Sequence, residues 1–312
     1  MIRLFVIMIA ILIEVAAFEN HRIEPDFVKD GNYMGIKILD SKVLTLNRID
    51  GLKFCEISDI LYDKDKKLLY ALSDKGNLFK LTLEIEEKKI KSLKPLSGHA
   101  LTNTNGKKLF GLFKDSEGLA MMGKSLLVSF ERKPRLMLYD EDIQALKELP
   151  LPKPLRNINN YRAKNYALEA LTYDEQYGFI TAPEYPLRKQ KRGYHDIYSA
   201  DGKMCTVKVD DIRQAITEME MMPDGNLLLL LRKFTLRSFS FETMLIKVNL
   251  LKRQNGLCQS EVLAWMSTKE GWHIDNFEGL THLYDNAYLM VSDNNNNPFE
   301  KTILTLFEIK ER

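Results

Sequence analysis

The chain has 312 residues and is nearly neutral, with 45 Lys and Arg against 43 Asp and Glu and a formal net charge of +2. That balance excludes an overall electrostatic preference for nucleic acid or for an anionic membrane, so partner choice has to come from a local site. Hydrophobic residues make up 45% and charged residues 28%, which is typical of a folded protein without long disordered tails. We expect one large core, because all-β chains of this length commonly form a single domain.

The first seventeen residues have the layout of a secretory signal peptide. Arg3 is followed by an apolar run from Leu4 to Ile13 and then by small residues ending at Ala17. We predict cleavage after Ala17, a mature domain over residues 18–312, and a periplasmic or secreted location. The alternative is an uncleaved N-terminal anchor. Since the run is too short for a comfortable transmembrane helix, we expect no stable membrane span after cleavage.

The three cysteines, Cys55, Cys205 and Cys258, allow at most one intramolecular disulfide. They show neither CxxC spacing nor a Cys/His metal pattern. We therefore interpret each as a small buried residue and assign no catalytic role to it.

Five segments share one layout: a short apolar strand that starts with polar residues, a tight turn, a second strongly apolar strand and then a third strand. Their start residues recur at intervals of 49 to 60 positions and are Ser58, Glu117, Glu169, Glu218 and Glu278. This period suits one four-stranded blade per repeat, so we predict an all-β fold, a β-propeller with five or six blades. Segment Lys42–Leu46 is predicted to pair beside Ile303–Phe307 and to close the ring. A β-sandwich is the alternative.

In a propeller the first strand of each blade lines the central channel, so its start residues converge on the axis. Four of the five repeats place Glu there, and these glutamates are the predicted catalytic residues: Glu117, Glu169, Glu218 and Glu278. Clustered carboxylates disfavour joint ionisation unless a cation offsets them. Because hard oxygen ligands suit Ca²⁺ or Mg²⁺, we predict a divalent cation here, with Ca²⁺ preferred.

A second layer of charged residues follows the second strand of each repeat. It contains Asp74, and it supplies three predicted metal ligands and three predicted substrate-binding residues. The metal ligands are Glu131, Glu184 and Asp293; the substrate-binding residues are Arg132, Arg232 and Lys233. Acids beside arginines are what metal-assisted phosphoester chemistry needs, since the arginines bind phosphate oxygens and the acids hold the cation or deprotonate water.

Other readings of the charged residues stay open. The ring of glutamates could be architectural, satisfying backbone groups in a wet channel. The basic run Arg188–Arg192 is interpreted as a solvated loop tip, and no nucleic-acid partner is expected. No nucleophile elbow, phosphate-binding loop or HExxH motif occurs in the sequence.

Five segments resemble a known family. The more specific match is the C-terminal set Asn276–Leu280, Leu289–Asn294 and Thr302–Phe307, and the weaker matches are Ser116–Leu119 and Leu168–Leu171. Together they resemble the phytase-like family (esterase-like activity of phytase) from about Lys42 to Lys310. The resemblance implies an exported β-propeller whose repeated acids serve phosphodiesterase or phosphatase-like chemistry. Ser58–Asp59 in the first repeat and Met219–Glu220 after Glu218 depart from the pattern.

We therefore expect a metal-dependent hydrolase of small-molecule phosphoric esters, either phosphodiesters or phosphomonoesters. Two alternatives stay open, so catalysis itself is a hypothesis. One is a non-catalytic propeller that binds a ligand or an unknown periplasmic protein partner at one channel mouth. The other is a Ca²⁺-dependent lactone or carboxylic ester hydrolase.

Overall fold

The computed structural model of the protein describes residues 17–310, so most of the predicted signal segment lies outside the described residues. The predicted all-β fold is confirmed as a β-propeller of five blades, each blade being an antiparallel sheet of at least four strands. Helix is limited to five single 3₁₀ turns among these residues: Gly111–Phe113, Lys153–Leu155, Ile158–Asn160, Leu236–Ser238 and Thr268–Glu270. None of the helices within residues 17–310 has the length and apolar character needed to cross a membrane.

The blades follow one another in sequence. Blade 1 consists of Ile57–Asp63, Leu68–Ser73, Asn77–Glu86 and Lys89–Ala100; blade 2 of Ser116–Met122, Ser125–Phe130, Arg135–Tyr139 and Ala145–Leu149; blade 3 of Leu168–Asp174, Gly178–Pro183, Tyr194–Ser199 and Gly202–Lys208; blade 4 of Ala215–Met221, Leu227–Thr235, Ser240–Gln254 and Leu257–Ser267; and blade 5 of Asn276–Tyr284, Ala287–Asp293 and Ile303–Ile309, completed by Ile36–Leu44 and Phe18–His21. The short strands Asn32–Tyr33, Arg48–Ile49 and Leu52–Lys53 lie outside this repeat.

The ring closes through blade 5, which combines both ends of the described chain. Strand Ile36–Leu44 pairs antiparallel with Ile303–Ile309, with Val43 opposite Ile303. The predicted pairing is thus confirmed at Lys42 and Val43, although the strand begins earlier than predicted, at Ile36, and ends at Leu44 rather than Leu46. Phe18–His21 adds a fifth strand outside it. Closing the ring with an early strand joins the two ends of the sheet series and covers an edge that would otherwise be open to another chain.

The hydrophobic core is divided into five clusters, each of which fills the space between one blade and the next. Strand Leu227–Thr235 shows why its sequence begins as an unbroken apolar run. Leu228 and Leu230 face blade 5, whereas Leu227, Leu229 and Leu231 face blade 3. Since side chains alternate between the two faces of a strand and both faces of this sheet are covered, every position of the run is buried.

Cys205 and Cys258 form a disulfide that joins the fourth strand of blade 3 to the fourth strand of blade 4. Cys55 is a buried free thiol. The structure therefore agrees with the prediction of at most one disulfide and of buried cysteines.

Candidate metal centre at the channel mouth

The first strand of every blade carries a β-bulge near its start, after its first or second pair with the second strand. A bulge inserts an unpaired residue and re-aims its side chain. The residues in this position are Ser58 in blade 1, Glu117 in blade 2, Glu169 in blade 3, Thr217 in blade 4 and Glu278 in blade 5. The first strands contact one another around the ring, so these side chains meet at one end of the channel.

The second layer of charges faces the same mouth. In each blade, one residue in the last part of the second strand or directly after it is held against the start of the first strand; the backbone N–H of Glu131, for example, donates to the Asp115 carbonyl at 2.9 Å. The equivalent residues in blades 1 to 5 are Asp74, Glu131, Glu184, Arg232 and Asp293. All five line one cavity of about 190 Å³, together with Asp115, Glu117, Arg132, Asn165, Tyr166, Glu169, Glu278 and Asn295.

The structure thus brings together three of the four predicted catalytic glutamates, all three predicted metal ligands and two of the three predicted substrate-binding residues. Glu218 and Lys233 lie elsewhere. Two further polar residues of the cavity, Asn165 and Tyr166, come from a loop with no repeat period, so the repeat could not predict them. Asp115 directly precedes the first strand of blade 2 and belongs to the predicted repeat, but no role was predicted for it. Tyr166 is held by a ring contact with Tyr185, with 4.7 Å between the centroids.

Two overlapping groups of carboxylates have the spacing of cation ligands. Asp115, Glu117 and Glu131 form one group, and Glu131, Glu169 and Glu184 form the other, with the oxygens in each group within 4.8 Å of one another. Two oxygens that each lie about 2.4 Å from a Ca²⁺ ion are at most about 4.8 Å apart. The donor set therefore fits a hard divalent cation, and the shared Glu131 places two such positions side by side.

Burial strongly raises the pKa values of these acids. It raises the pKa of Glu169 well above its ordinary value, and the neighbouring carboxylates raise it further. Glu117 behaves in the same way. The pKa of Glu131 is raised to about 9, first by burial and then by Glu184 and Asp115. Burial raises the pKa of Glu184 to about 7 against the opposing effect of Arg232. Without a cation the cluster retains protons at neutral pH, and a bound cation would replace them.

Arg232 brings a partly buried positive charge into this cluster. Its Nη2 atom lies 3.2 Å from Glu184 Oε1, and its Nε atom lies 3.3 Å from Glu278 Oε1. Glu278 Oε1 also accepts a hydrogen bond of 2.7 Å from the Asn276 amide, which fixes the carboxylate. Arg132 stands at the rim, half-exposed, with its Nε atom 2.6 Å from Asp115 Oδ2. The cavity therefore offers one partly buried guanidinium and a more exposed one at the rim.

Lys233 points away from the cavity, because neighbouring residues of a strand face opposite sides. Its Nζ atom pairs with Glu242 at 2.6 Å and with Asp211 at 2.9 Å, on the outer part of blade 4. The geometry thus places this predicted substrate-binding residue in a structural ion pair.

Glu218 lies one position beyond the bulge, where it plugs the channel below the cavity together with Asp59. Asp59 accepts hydrogen bonds from the backbone N–H groups of Ile60, Leu119 and Leu280, at 2.7, 2.7 and 3.2 Å. Glu218 accepts those of Leu171 and Met219, at 2.8 and 2.7 Å. These five donors are equivalent, one from each blade.

Burial raises the pKa of both Asp59 and Glu218 well above the ordinary values, and the two carboxyls interact directly. The other three blades carry Gly118, Ala170 and Gly279 at this position. A Cβ on Gly279 would lie 2.8 Å from the Asp59 Cα, so the small residues leave room for the plug. The plug satisfies five buried donors, which gives Glu218 a structural role in this geometry.

A family model described as phytase-like, esterase-like activity of phytase, matches residues 53–296. No curated protein sequence matches the chain. Among solved structures, Myxococcus xanthus glutaminyl cyclase is similar over 88% of this chain and 97% of that chain, with 11% identity and a TM-score of 0.50. Streptogramin B lyase covers the same shares at 6% identity and a TM-score of 0.39. The β-propeller domain of Myceliophteria thermophila Cps50 (Swd1) matches over 83% of this chain and 98% of that chain, with 10% identity and a TM-score of 0.41. Identities this low bear on the fold alone.

Proposed function

Since this chain belongs to the phytase-like family (esterase-like activity of phytase), we propose that it is an exported, metal-dependent hydrolase of phosphoric esters. One observation carries the proposal. Carboxylates from separate blades meet within cation-ligand distance of one another, and a partly buried arginine lies beside them. An acidic site with a fixed guanidinium can hold a cation and bind a phosphate at the same time.

The residues divide into three roles. Glu131, Glu169 and Glu184 hold a divalent cation, Ca²⁺ in our proposal, with Asp115 and Glu117 offering the adjoining position. The cation would neutralise charge on the phosphoryl oxygens and polarise the phosphorus centre.

Arg232 binds a phosphate oxygen from inside the cavity, with its guanidinium oriented by Glu278 and Glu184. Arg132 binds the ester from the rim, where solvent reaches it.

Asp293 is the group that takes a proton from the attacking water. It lines the cavity outside both ligand groups, and its Oδ1 atom accepts a hydrogen bond of 2.8 Å from the Asn295 backbone, which fixes the carboxylate. Burial and then Glu278 raise its pKa well above the ordinary value, which makes the carboxylate a stronger base than an exposed aspartate.

Export is part of the proposal. The disulfide between Cys205 and Cys258 supports it, because disulfides persist in oxidising compartments. A periplasmic or secreted enzyme would act on small-molecule phosphoesters in that compartment.

The first experiment measures the metal content of the purified protein together with hydrolysis of bis(p-nitrophenyl) phosphate and p-nitrophenyl phosphate, before and after chelation. We expect bound Ca²⁺ and chelator-sensitive hydrolysis that returns on adding the metal. Glu169→Gln should lose both, with a melting temperature within a few degrees of the parent, whereas Lys233→Gln should keep both.

Three results would redirect the assignment. Bound metal with no turnover of either phosphoester favours a binding propeller, to be followed by partner capture from periplasmic extract. Turnover of p-nitrophenyl butyrate where the phosphoesters are inert favours the carboxylic ester hydrolase. Hydrolysis that is insensitive to chelation rejects the metal-dependent mechanism.

A further inference from the structure

The end of the propeller at which the acidic cavity opens, called here the site face, carries the loops that lead into the first strands and those that join second to third strands. The strand directions place both kinds of loop at this end. Asp115 lies in a loop that leads into a first strand, Glu184 lies in a loop that joins a second to a third strand, and both line the cavity. Five segments of the site face are compared below: residues 101–114, 132–134, 150–166, 185–193 and 234–239.

These five segments are basic without exception. They contain fourteen Lys and Arg and no Asp or Glu, although the whole chain has almost as many acids as bases. The fourteen are Lys107, Lys108, Lys114, Arg132, Lys133, Lys153, Arg156, Arg162, Lys164, Arg188, Lys189, Lys191, Arg192 and Arg237, and twelve of them are exposed. The near-neutral total charge therefore conceals a concentration of exposed basic residues on one side of the site face, beside the acidic cavity.

The five segments together are called here the basic arc of the site face. Arginines in the middle of this arc donate hydrogen bonds to backbone carbonyls. Arg162 donates to the carbonyls of Pro186 and Gln190, at 2.8 and 2.6 Å, and Arg188 donates to that of Tyr161 at 2.6 Å. Burial, then Arg192 and Arg188, lower the pKa of Arg162, which shows how close these charges lie. Hydrogen bonds to neutral carbonyls fix the guanidinium groups without cancelling their charge.

Acids in the neighbouring loop form ion pairs within the protein. Residues 209–214, between blades 3 and 4, contain Asp210 and Asp211. Asp210 pairs with Lys208 at 3.4 Å, and Asp211 pairs with Arg213 and Lys233 at 2.7 and 2.9 Å. The positive arc therefore continues past them to blade 4.

Large apolar side chains stand exposed at both ends of the arc. Phe110 is 76% exposed in the loop between blades 1 and 2, and Leu112 and Phe113 beside it are about half-exposed. In blade 4, Leu236 and Phe239 are 70% and 76% exposed. Exposed apolar clusters rimmed by polar residues mark interaction surfaces.

We propose that the site face docks peripherally on an anionic phospholipid bilayer, with these two apolar loops inserted among the headgroups and the basic arc held against the surface. Charge complementarity selects an anionic surface, since each Lys or Arg near such a membrane contributes attraction. Leu112 and Leu236 favour acyl chains over nucleic-acid bases, because aliphatic side chains offer no ring for stacking. The docked orientation turns the cavity mouth toward the lipid headgroups.

The test is co-sedimentation of the full chain with vesicles of phosphatidylcholine alone and of phosphatidylcholine with 30% phosphatidylglycerol, chosen at roughly the anionic content at which polybasic surfaces bind. We expect binding to the anionic vesicles, weakened by added salt, and little binding to the neutral ones. The double variant Phe110→Ser with Phe239→Asn should bind at least 10-fold more weakly; Asn is chosen because Phe239 has a φ of 44°, which Asn tolerates.

Leu251→Ser is the matched control. Leu251 is 80% exposed and lies beside Lys252 and Arg253 in a hairpin at the opposite end of blade 4, so it has similar chemistry on the other face. Its vesicle binding should equal that of the parent.

A Phe239→Trp variant reports insertion directly, because brominated phosphatidylcholine in the anionic vesicles should quench its fluorescence more than that of the parent. The proposal is overturned by any of three results: no vesicle binding at low salt, equal loss of binding in Leu251→Ser, or tighter binding to a single-stranded oligonucleotide than to anionic vesicles. None of these measurements depends on catalysis, so the docking and the proposed activity can fail separately.

Discussion

The retained protons of the acidic cavity make a quantitative prediction about stability. Burial raises the pKa of Glu131 from 4.5 to about 9, so at neutral pH the folded protein holds a proton that the unfolded chain has released. Unfolding then releases this proton, and raising the pH favours unfolding. One retained proton gives a slope of about 1.4 kcal/mol per pH unit, with stability lost as pH rises toward the folded pKa.

Between pH 7 and 8.5 this slope amounts to a loss of about 2 kcal/mol in chelator, and Glu117 and Glu169 act in the same direction. The range from pH 7 to 8.5 lies above the titration of His195, whose pKa is lowered by burial to about 4. The titration of His195 would make stability rise with pH, but only at acid pH. With about 2 °C for each kcal/mol, the melting temperature should fall by about 4 °C.

The assay is thermal unfolding followed by circular dichroism at several pH values, in EDTA and in millimolar Ca²⁺. Calcium should remove or reverse the slope, because a bound cation replaces the protons. Glu131→Gln should lower the slope in EDTA by one proton's contribution, about 1.4 kcal/mol per pH unit, whereas Glu86→Gln, an exposed residue in the outer part of blade 1, should not change it. A melting temperature that is constant or rises from pH 7 to 8.5 in EDTA would refute the reasoning, as would a parental slope in Glu131→Gln.

Three further predictions separate structural from functional residues. Glu218→Ala should cost about 3 kcal/mol in urea unfolding, because two buried N–H groups lose their acceptor, whereas Glu218→Gln retains an amide oxygen and should cost less; equal costs would contradict the plug. Arg232→Gln should lower kcat/KM for a phosphodiester at least 10-fold, about 1.4 kcal/mol of transition-state binding, and an unchanged value would remove Arg232 from the substrate site. Cys205→Ser should cost about 3 to 4 kcal/mol of stability through loss of the Cys205–Cys258 crosslink, and parental stability would mean that the disulfide is absent.

The sequence predicted the fold well, because a propeller is defined by a repeat of short local elements. Short apolar strands, tight turns and a regular period were enough to define the repeat and the ring closure through Val43 and Ile303. The number of blades was left at five or six, since long outer loops can hide strands; the structure gives five.

Part of the site was predicted because its residues recur at one position of the repeat. Glu117, Glu169 and Glu278 share a place in the repeat, and that place faces the cavity. Glu218 looked equivalent, yet Thr217 holds the bulged position of blade 4 and Glu218 is the residue after it. The sequence does not show which residue of a strand is bulged, so strand pairing had to reveal which glutamate joins the cavity and which joins Asp59 in the channel.

The sequence by itself determined the blade repeat, the acidic character of the inner strands and the near-neutral total charge. Tertiary structure alone decided which charges share a space. The basic segments of the site face are separated along the chain by whole strands with compensating acids, so composition cannot show that they lie on one side. The raised pKa values of the cavity acids likewise arise from burial and from neighbours on other blades, which exist only once the ring has closed.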